Sequence, residues 1–198
     1  MANINVGRFL MNSEIEGPGT RFVVWLQGCT IGCKSCCNQE LIPMVPKFLM
    51  PVSFLFEKIK EAKQKYNIEG ITILGGEPFI QPDGLEELID LCYENDLTII
   101  CFTGYIYENL KDEYSNILKK IDILIDGPFI ANQLDIKRRL IGSKNQRVIK
   151  ITDKYKDCDY FEQPHSQFEI QLFKDRVIIN GDGVAIDNEH GQVCFKIK

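Results

Sequence analysis

Apolar residues along the chain fall into two alternating periods. Residues 22–26 (FVVWL), 71–74, 97–102 and 123–125 are short apolar runs of the kind found in strands buried on both faces. Between the first two, Leu55, Ile59, Ala62 and Tyr66 recur at helical spacing over residues 53–66, and Asn67 is a stop signal. Asp83 and Glu86 mark a second helix start ahead of Leu85, Leu88, Ile89 and Cys92. A third helix follows residue 105, its apolar face running through Leu110, Tyr114, Ile117, Leu118 and Ile121. Alternating buried strands and amphipathic helices predict four parallel βα units joined by right-handed crossovers.

Beyond residue 130 the pattern weakens. A polar loop reaches Gln146, residues 147–151 read as a fifth strand, and residues 153–167 have no clear period. In the last thirty residues Phe168, Ile170 and Leu172, then Val177 and Ile179, alternate with polar positions; Lys174-Asp175 and Asn180-Gly181-Asp182-Gly183 are turn signals between them. Hairpins are expected there. With 198 residues and 44% hydrophobic composition, one domain over 1–198 is the expectation, with a core of about 17–152 and an extension of about 153–198.

Charge and composition narrow the partners. The formal charge is -5 with scattered Lys and Arg, so no basic surface marks nucleic acid as a partner. The first residues lack the basic start and apolar run of a secretory signal, and no apolar stretch is long enough to span a bilayer, so a soluble cytoplasmic protein without a membrane partner is expected. Four of the eight cysteines crowd into residues 29–37. In a reducing compartment such crowding points to metal or redox chemistry rather than disulfides.

The chemistry-bearing motifs sit at strand ends. The cysteine loop, Gly75-Gly76-Glu77-Pro78, Thr103-Gly104-Tyr105 and Asp126-Gly127-Pro128-Phe129 each follow a different strand. In a parallel sheet or barrel those positions share the carboxyl edge, where ligand sites form. Cys29, Cys33 and Cys36, spaced C-x3-C-x2-C, offer three thiolates. A structural zinc site is normally closed by four ligands, whereas a cubane held by three cysteines leaves one iron open.

The run GPGTRFVVWLQGCTIGCKSCCNQE, the GGEP after the next strand, and the later IDGPF (125–129) and GSKNQ (142–146) resemble the radical S-adenosylmethionine (SAM) superfamily. Most of all they resemble the small activating enzymes of anaerobic ribonucleotide reductase and other glycyl radical enzymes, over about residues 17–150. The resemblance implies an α/β fold, an incomplete parallel βα barrel of radical SAM type, here with a C-terminal β-hairpin extension. It implies a [4Fe-4S] cluster on Cys29, Cys33 and Cys36 whose open iron binds SAM, and reductive cleavage of SAM to a 5'-deoxyadenosyl radical. A glycyl radical enzyme would be the protein substrate, and a low-potential donor such as flavodoxin or ferredoxin would supply the electron. Proximity and the electron source would carry the catalysis.

Further site residues are implied in the same way. Gly75, Gly76 and Pro78 would shape a strand end that approaches the methionine moiety, with Glu77 near its ammonium group; the plain alternative is a turn into a helix with Glu77 solvated. Ser35 and Cys37 flank Cys36 where backbone groups meet adenosine. Asp126 stands near the ribose hydroxyls or is simply a turn-forming residue. Thr103 is a SAM contact or a strand-terminating hydroxyl. Ser35 replaces the aromatic residue common before the third cysteine, so adenine packing falls to Ile31, Trp25 or Tyr105. Cys37 is expected to point away from Cys36, and Ile141 stands where the reductase activases have arginine. Cys92 and Cys101 read as core, while Cys158, Cys194, His165 and His190 lack metal-ligand spacing. A radical SAM enzyme acting on a peptide or nucleotide-like small molecule, or a non-enzymatic iron–sulfur or zinc protein, are the competing readings.

Overall fold

The computed structural model describes residues 1–163 and, beyond them, the strand segments at 168–172, 177–181, 184–187 and 192–195, with side chains only at 169–172, 177 and 178 in that tail. Its centre is a seven-stranded sheet in the order β3-β1-β2-β4-β5-β6-β7. The strands are β1 (Asn3–Ser13), β2 (Arg21–Leu26), β3 (Phe48–Pro51), β4 (Gly70–Gly75), β5 (Thr98–Phe102), β6 (Ile123–Asp126) and β7 (Arg147–Lys150). The neighbours β2, β4, β5 and β6 are parallel, as the four apolar runs predict. Antiparallel pairs flank them, with β3 against β1, β1 against β2, and β7 against β6. The fold is therefore α/β with a parallel-rich sheet, and the sheet is open: β3 and β7 are edges and no closed barrel forms among the described residues.

Alternation along each strand divides the core. Phe22, Val24, Leu26, Ile71, Ile73, Ile99, Cys101 and Leu124 share one cluster with the buried sides of α1 (Val52–Tyr66) and α2 (Pro82–Glu94). Their neighbours point the other way: Val23 and Trp25 pack with Leu10 and Leu41, while Ile100, Ile123 and Ile125 pack with Ile141, Tyr155 and Phe161. The period of two in the strands thus separates a helix-covered face from a loop-covered one. The helix α1 stops where expected, at Asn67, which takes the left-handed conformation with φ 52° and returns its N–H to Lys63 O at 3.1 Å.

Two expectations change, and the tail hairpins form as expected. The single helix expected after residue 105 is two short ones, α3 (Tyr107–Leu110) and α4 (Ser115–Leu118), separated by turns at 111–114. Its apolar spacing is real, since Leu110, Ile117, Leu118 and Ile121 are buried, but Asp112, Ser115 and Asn116 favour turns and caps over helix interiors. The core begins ahead of residue 17, because Ile4 and Val6 of β1 are fully buried in the helix-side cluster. In the tail, β8 (Phe168–Leu172) pairs with β9 (Val177–Gly181), and β10 (Val184–Asp187) with β11 (Gln192–Phe195), both antiparallel. The turn residues Lys174, Asp175, Asp182 and Gly183, and His165 and His190, lie outside the described residues.

Candidate functional site

The carboxyl ends of β2, β4, β5 and β6 deliver four segments to one edge, and backbone hydrogen bonds join them directly. Gly76 N–H donates to Leu26 O and Glu77 N–H to Gly28 O, each at 2.8 Å, so the β4 end holds the start of the cysteine loop. Thr103 N–H donates to Ile125 O and Gly127 N–H to Tyr105 O, each at 2.9 Å, joining the β5 and β6 ends. The tip of the cysteine loop reaches both: Thr30 Oγ1 lies 3.2 Å from Tyr105 Oη, and the Cys33 sulfur accepts the Phe129 N–H.

Cys29, Cys33 and Cys36 are half-buried on a loop free of regular structure between Gly28 and Asn38. Gly32 and Ser35 bend it through the left-handed region, with φ of 61° at each. Gly32 is suited to this; Ser35 is not, and its backbone is strained between the second and third cysteines. Burial, and then the neighbouring Cys36 and Cys29, push the Cys33 thiol above its ordinary value, against the Phe129 N–H, so the three sulfurs lie within electrostatic reach of one another. Yet among the described residues no three Cys, His, Asp or Glu side chains stand close enough to hold a single metal ion. A mononuclear thiolate site draws its sulfurs to bonds of about 2.3 Å from one metal; a cubane offers a different iron to each thiolate. Three soft thiolate donors on one loop are the donor chemistry that an iron–sulfur cluster takes.

Cys37 is exposed, and its interaction with the adjacent Cys36 lowers the Cys36 thiol to about 6 and raises Cys37. The Asn38 N–H donates to the same Cys36 sulfur at 3.4 Å.

The Gly-Gly-Glu-Pro segment is occupied by the protein itself. A Cβ at Gly75 (φ 117°) would fall 2.2 Å from Leu26 N, and one at Gly76 would fall 1.9 Å from Gly28 O. The close approach of the β2 end by itself requires both glycines. Pro78 opens a 3-10 turn and is buried. Glu77 is not solvated: it is fully buried, with Oε1 accepting from Thr103 Oγ1 (2.9 Å) and Phe79 N–H (3.0 Å) and Oε2 from Gly104 N–H (2.8 Å). Burial raises its pKa, and those three donors oppose the rise. Glu77 and Thr103 thus join the β4 and β5 ends.

Asp126 is more than a turn-forming residue. Fully buried, it accepts from Arg147 through Nε at 2.9 Å and through Nη2, and its Oδ2 caps α3 by accepting the Tyr107 N–H at 2.7 Å. Arg147 also grips Glu108 through two bonds of 3.0 and 2.7 Å. The GSKNQ segment folds beneath: Gln146 Nε2 donates to Gly127 O and Asn145 Nδ2 to Pro128 O, at 3.1 and 2.7 Å. Ile141 is core, buried with Ile125 and Phe161. Of the candidates for packing on adenine, Trp25 is excluded, being 3% exposed with the Arg8 guanidinium over its ring. Ile31 and Tyr105 stand at the edge, Ile31 against Gly104.

Sequence reasoning missed three polar residues, two at this edge and one at the far end of β2. Arg21 is fully buried at the opposite end of β2, donating to Thr72, Thr98, Tyr155, Ile71 and Pro18. Gln27 donates through Nε2 to Pro43 O at 2.8 Å, and Arg8 reaches Asn38 and Glu40. Alternation of Ile4, Val6 and Leu10 was the available signal for β1, which carries Arg8.

A family model described as a 4Fe-4S single cluster domain matches residues 15–149. The anaerobic ribonucleoside-triphosphate reductase-activating protein of Enterobacteria phage T4 is 31% identical over 157 residues, covering 76% of this chain and 96% of that protein. Its namesake in Vibrio cholerae serotype O1 is 30% identical over 157 residues, covering 75% and 99%. The pyruvate formate-lyase-activating enzyme of Clostridium pasteurianum is 33% identical over 114 residues, 56% of this chain and 46% of that one. Among solved structures, QueE from Escherichia coli overlaps 52% of the chain and 53% of its own at 19% identity and a TM-score of 0.43, too slight to carry an argument. The class is thus an iron–sulfur enzyme of the radical SAM activating type. Within that class, the chain belongs to the family of anaerobic ribonucleoside-triphosphate reductase-activating proteins.

Proposed function

We propose that this chain installs a glycyl radical on an anaerobic ribonucleotide reductase, with Cys29, Cys33 and Cys36 holding a [4Fe-4S] cluster that binds SAM through its open iron. The observation that carries the reading is the meeting, at one carboxyl edge, of a three-thiol loop and three other strand ends that hold it in place. When bound, the cluster and SAM supply reductive cleavage to a 5'-deoxyadenosyl radical able to take a hydrogen atom from a glycine Cα of the partner.

The chain's own residues keep the site in register. Glu77 accepts from Thr103 and Gly104, and Gly76 and Glu77 hold Leu26 and Gly28, so the thiols rest on a rigid strand end. Arg147 neutralises Asp126 below the β6 end. Backbone groups around the strained Ser35, with Ile31 and Tyr105, are available to the adenosine part of SAM. An open sheet supports an incomplete barrel of radical SAM type, whose free edges admit a macromolecular loop. A low-potential flavodoxin or ferredoxin would supply the electron in the cytoplasm.

The test is anaerobic: reconstituted protein, dithionite, SAM and the reductase from the same organism. A persistent glycine-centred signal in electron paramagnetic resonance is expected, together with 5'-deoxyadenosine. It should vanish with Cys29→Ser, Cys33→Ser or Cys36→Ser and survive Cys92→Ala. SAM cleavage without a partner radical would overturn the activase reading, and a colourless zinc protein would overturn the cluster.

A further inference from the structure

Arg8 lies outside every motif described above, yet it leans directly on the cysteine loop. The β1–β2 register shifts between Val6 and Arg8, a bulge centred on Gly7, where a Cβ would fall 2.4 Å from Leu41 Cδ2 and 3.2 Å from Trp25 O. A bulge re-aims the side chain that follows it. Here it lays the Arg8 guanidinium over the Trp25 ring, 4.5 Å from the centroid. Trp25 cannot move, being buried among Leu10, Val23 and Leu41. From that platform Arg8 reaches two residues at once: Nη1 donates to Glu40 Oε1 at 2.9 Å and Nη2 to Asn38 Oδ1 at 3.1 Å. Asn38 in turn directs its backbone N–H at the Cys36 sulfur, 3.4 Å away.

Stability does not account for this arrangement. The Arg8 and Glu40 side chains are 48% and 50% exposed, and ion pairs so exposed contribute little. What the arrangement fixes is the position of one N–H against one sulfur. A hydrogen bond to a cysteine sulfur of an iron–sulfur cluster favours the more electron-rich reduced state, and partners beyond the ligands tune potential by holding such donors in place.

We infer that Arg8 is a positioning residue: stacked on Trp25, it clamps Asn38 so that the Asn38 N–H stays on the Cys36 sulfur and sets the reduction potential of the cluster. This rests on the reading that Cys36 is a cluster ligand. The clamp acts through geometry, so a lysine, which keeps the charge but lacks the planar two-pronged fork, does not replace it.

The experiment is a reductive titration of the reconstituted protein, followed by visible absorption and electron paramagnetic resonance, on the wild type, Arg8→Met, Arg8→Lys and Asn38→Ala. Iron content and thermal unfolding are measured on each. Asn38→Ala keeps the backbone N–H and the Arg8 charge but removes the clamp. All three variants are expected to bind iron like the wild type and to titrate at a more negative potential, with a several-fold smaller fraction reduced at a fixed solution potential. Wild-type potentials in Asn38→Ala and Arg8→Lys overturn the clamp, whether or not Arg8→Met shifts, because charge alone then explains any change. Should Arg8→Met fail to fold, the other two variants decide the matter. A wild type that takes up no iron overturns the cluster reading itself, and this inference with it; that outcome is visible before any variant is compared.

Discussion

Gly76→Ala tests whether the glycine pair serves the protein's own backbone or a ligand. The added Cβ would lie 1.9 Å from Gly28 O, 2.6 Å from Gly28 C and 2.9 Å from Leu41 O. An ordinary carbon–oxygen contact is about 3.3 Å or longer, so Gly28 and the β4 end must separate by more than about 1 Å. All three atoms are backbone, and no rotamer change relieves the overlap. The separation breaks the 2.8 Å bonds from Glu77 N–H to Gly28 O and from Gly28 N–H to Leu41 O. Leaving these buried groups unpaired costs about 1–3 kcal/mol each, so a total of about 2–6 kcal/mol is expected. For a chain of this size that lowers the Tm by roughly 4–24 °C. The assay is thermal unfolding of the metal-free protein by circular dichroism, with Gly32→Ala as the comparison. Gly32 has nothing within 4 Å and only its φ of 61° to lose, a cost of about 1–2 kcal/mol. Should Gly76→Ala melt within about 2 °C of the wild type while SAM cleavage falls, the glycine serves the ligand and the packing argument is refuted.

Two further outcomes follow from buried polar groups on either side of the sheet. Arg21→Lys offers three donors where the guanidinium satisfies six acceptor contacts; the bare acceptors should cost about 3 kcal/mol or more, and an unchanged chemical denaturation midpoint would count against the network. Glu77 has a pKa raised by burial above its ordinary 4.5, so the unfolded chain releases this proton first and stability falls as pH rises through the native value. Glu77→Gln carries no such proton: its Tm between pH 4.5 and neutrality should be flatter than that of the wild type, and parallel curves would show that Glu77 ionises freely in the fold.

The strand runs FVVWL and 71–74, the helix at 53–66 and the cysteine spacing were legible because each is a local signal: an apolar period, a stop residue, or three thiols on one loop. Even the convergence of four motifs followed from sequence, since parallel strands carry their following loops to one edge. What each polar group does there was not local. Glu77 and Thr103 are 26 residues apart, and Asp126 and Arg147 are 21 apart. Whether a carboxylate at a strand end faces a ligand or a neighbouring donor depends on which strand lies beside it and in what register. For the same reason Trp25 could stand among candidates for an adenine platform until the antiparallel β1 set Arg8 over its ring.

The sequence by itself determined the class of chemistry, because three cysteines in eight residues and a glycine pair at a strand end are properties of the chain. Tertiary structure decided how those groups are held. Burial makes an unpaired charge or N–H costly, so Glu77, Asp126 and Arg21 are fixed by partners that only the folded sheet brings within reach, and the third cysteine takes its N–H donor from a segment steadied by a bulge in a strand the motifs never touch.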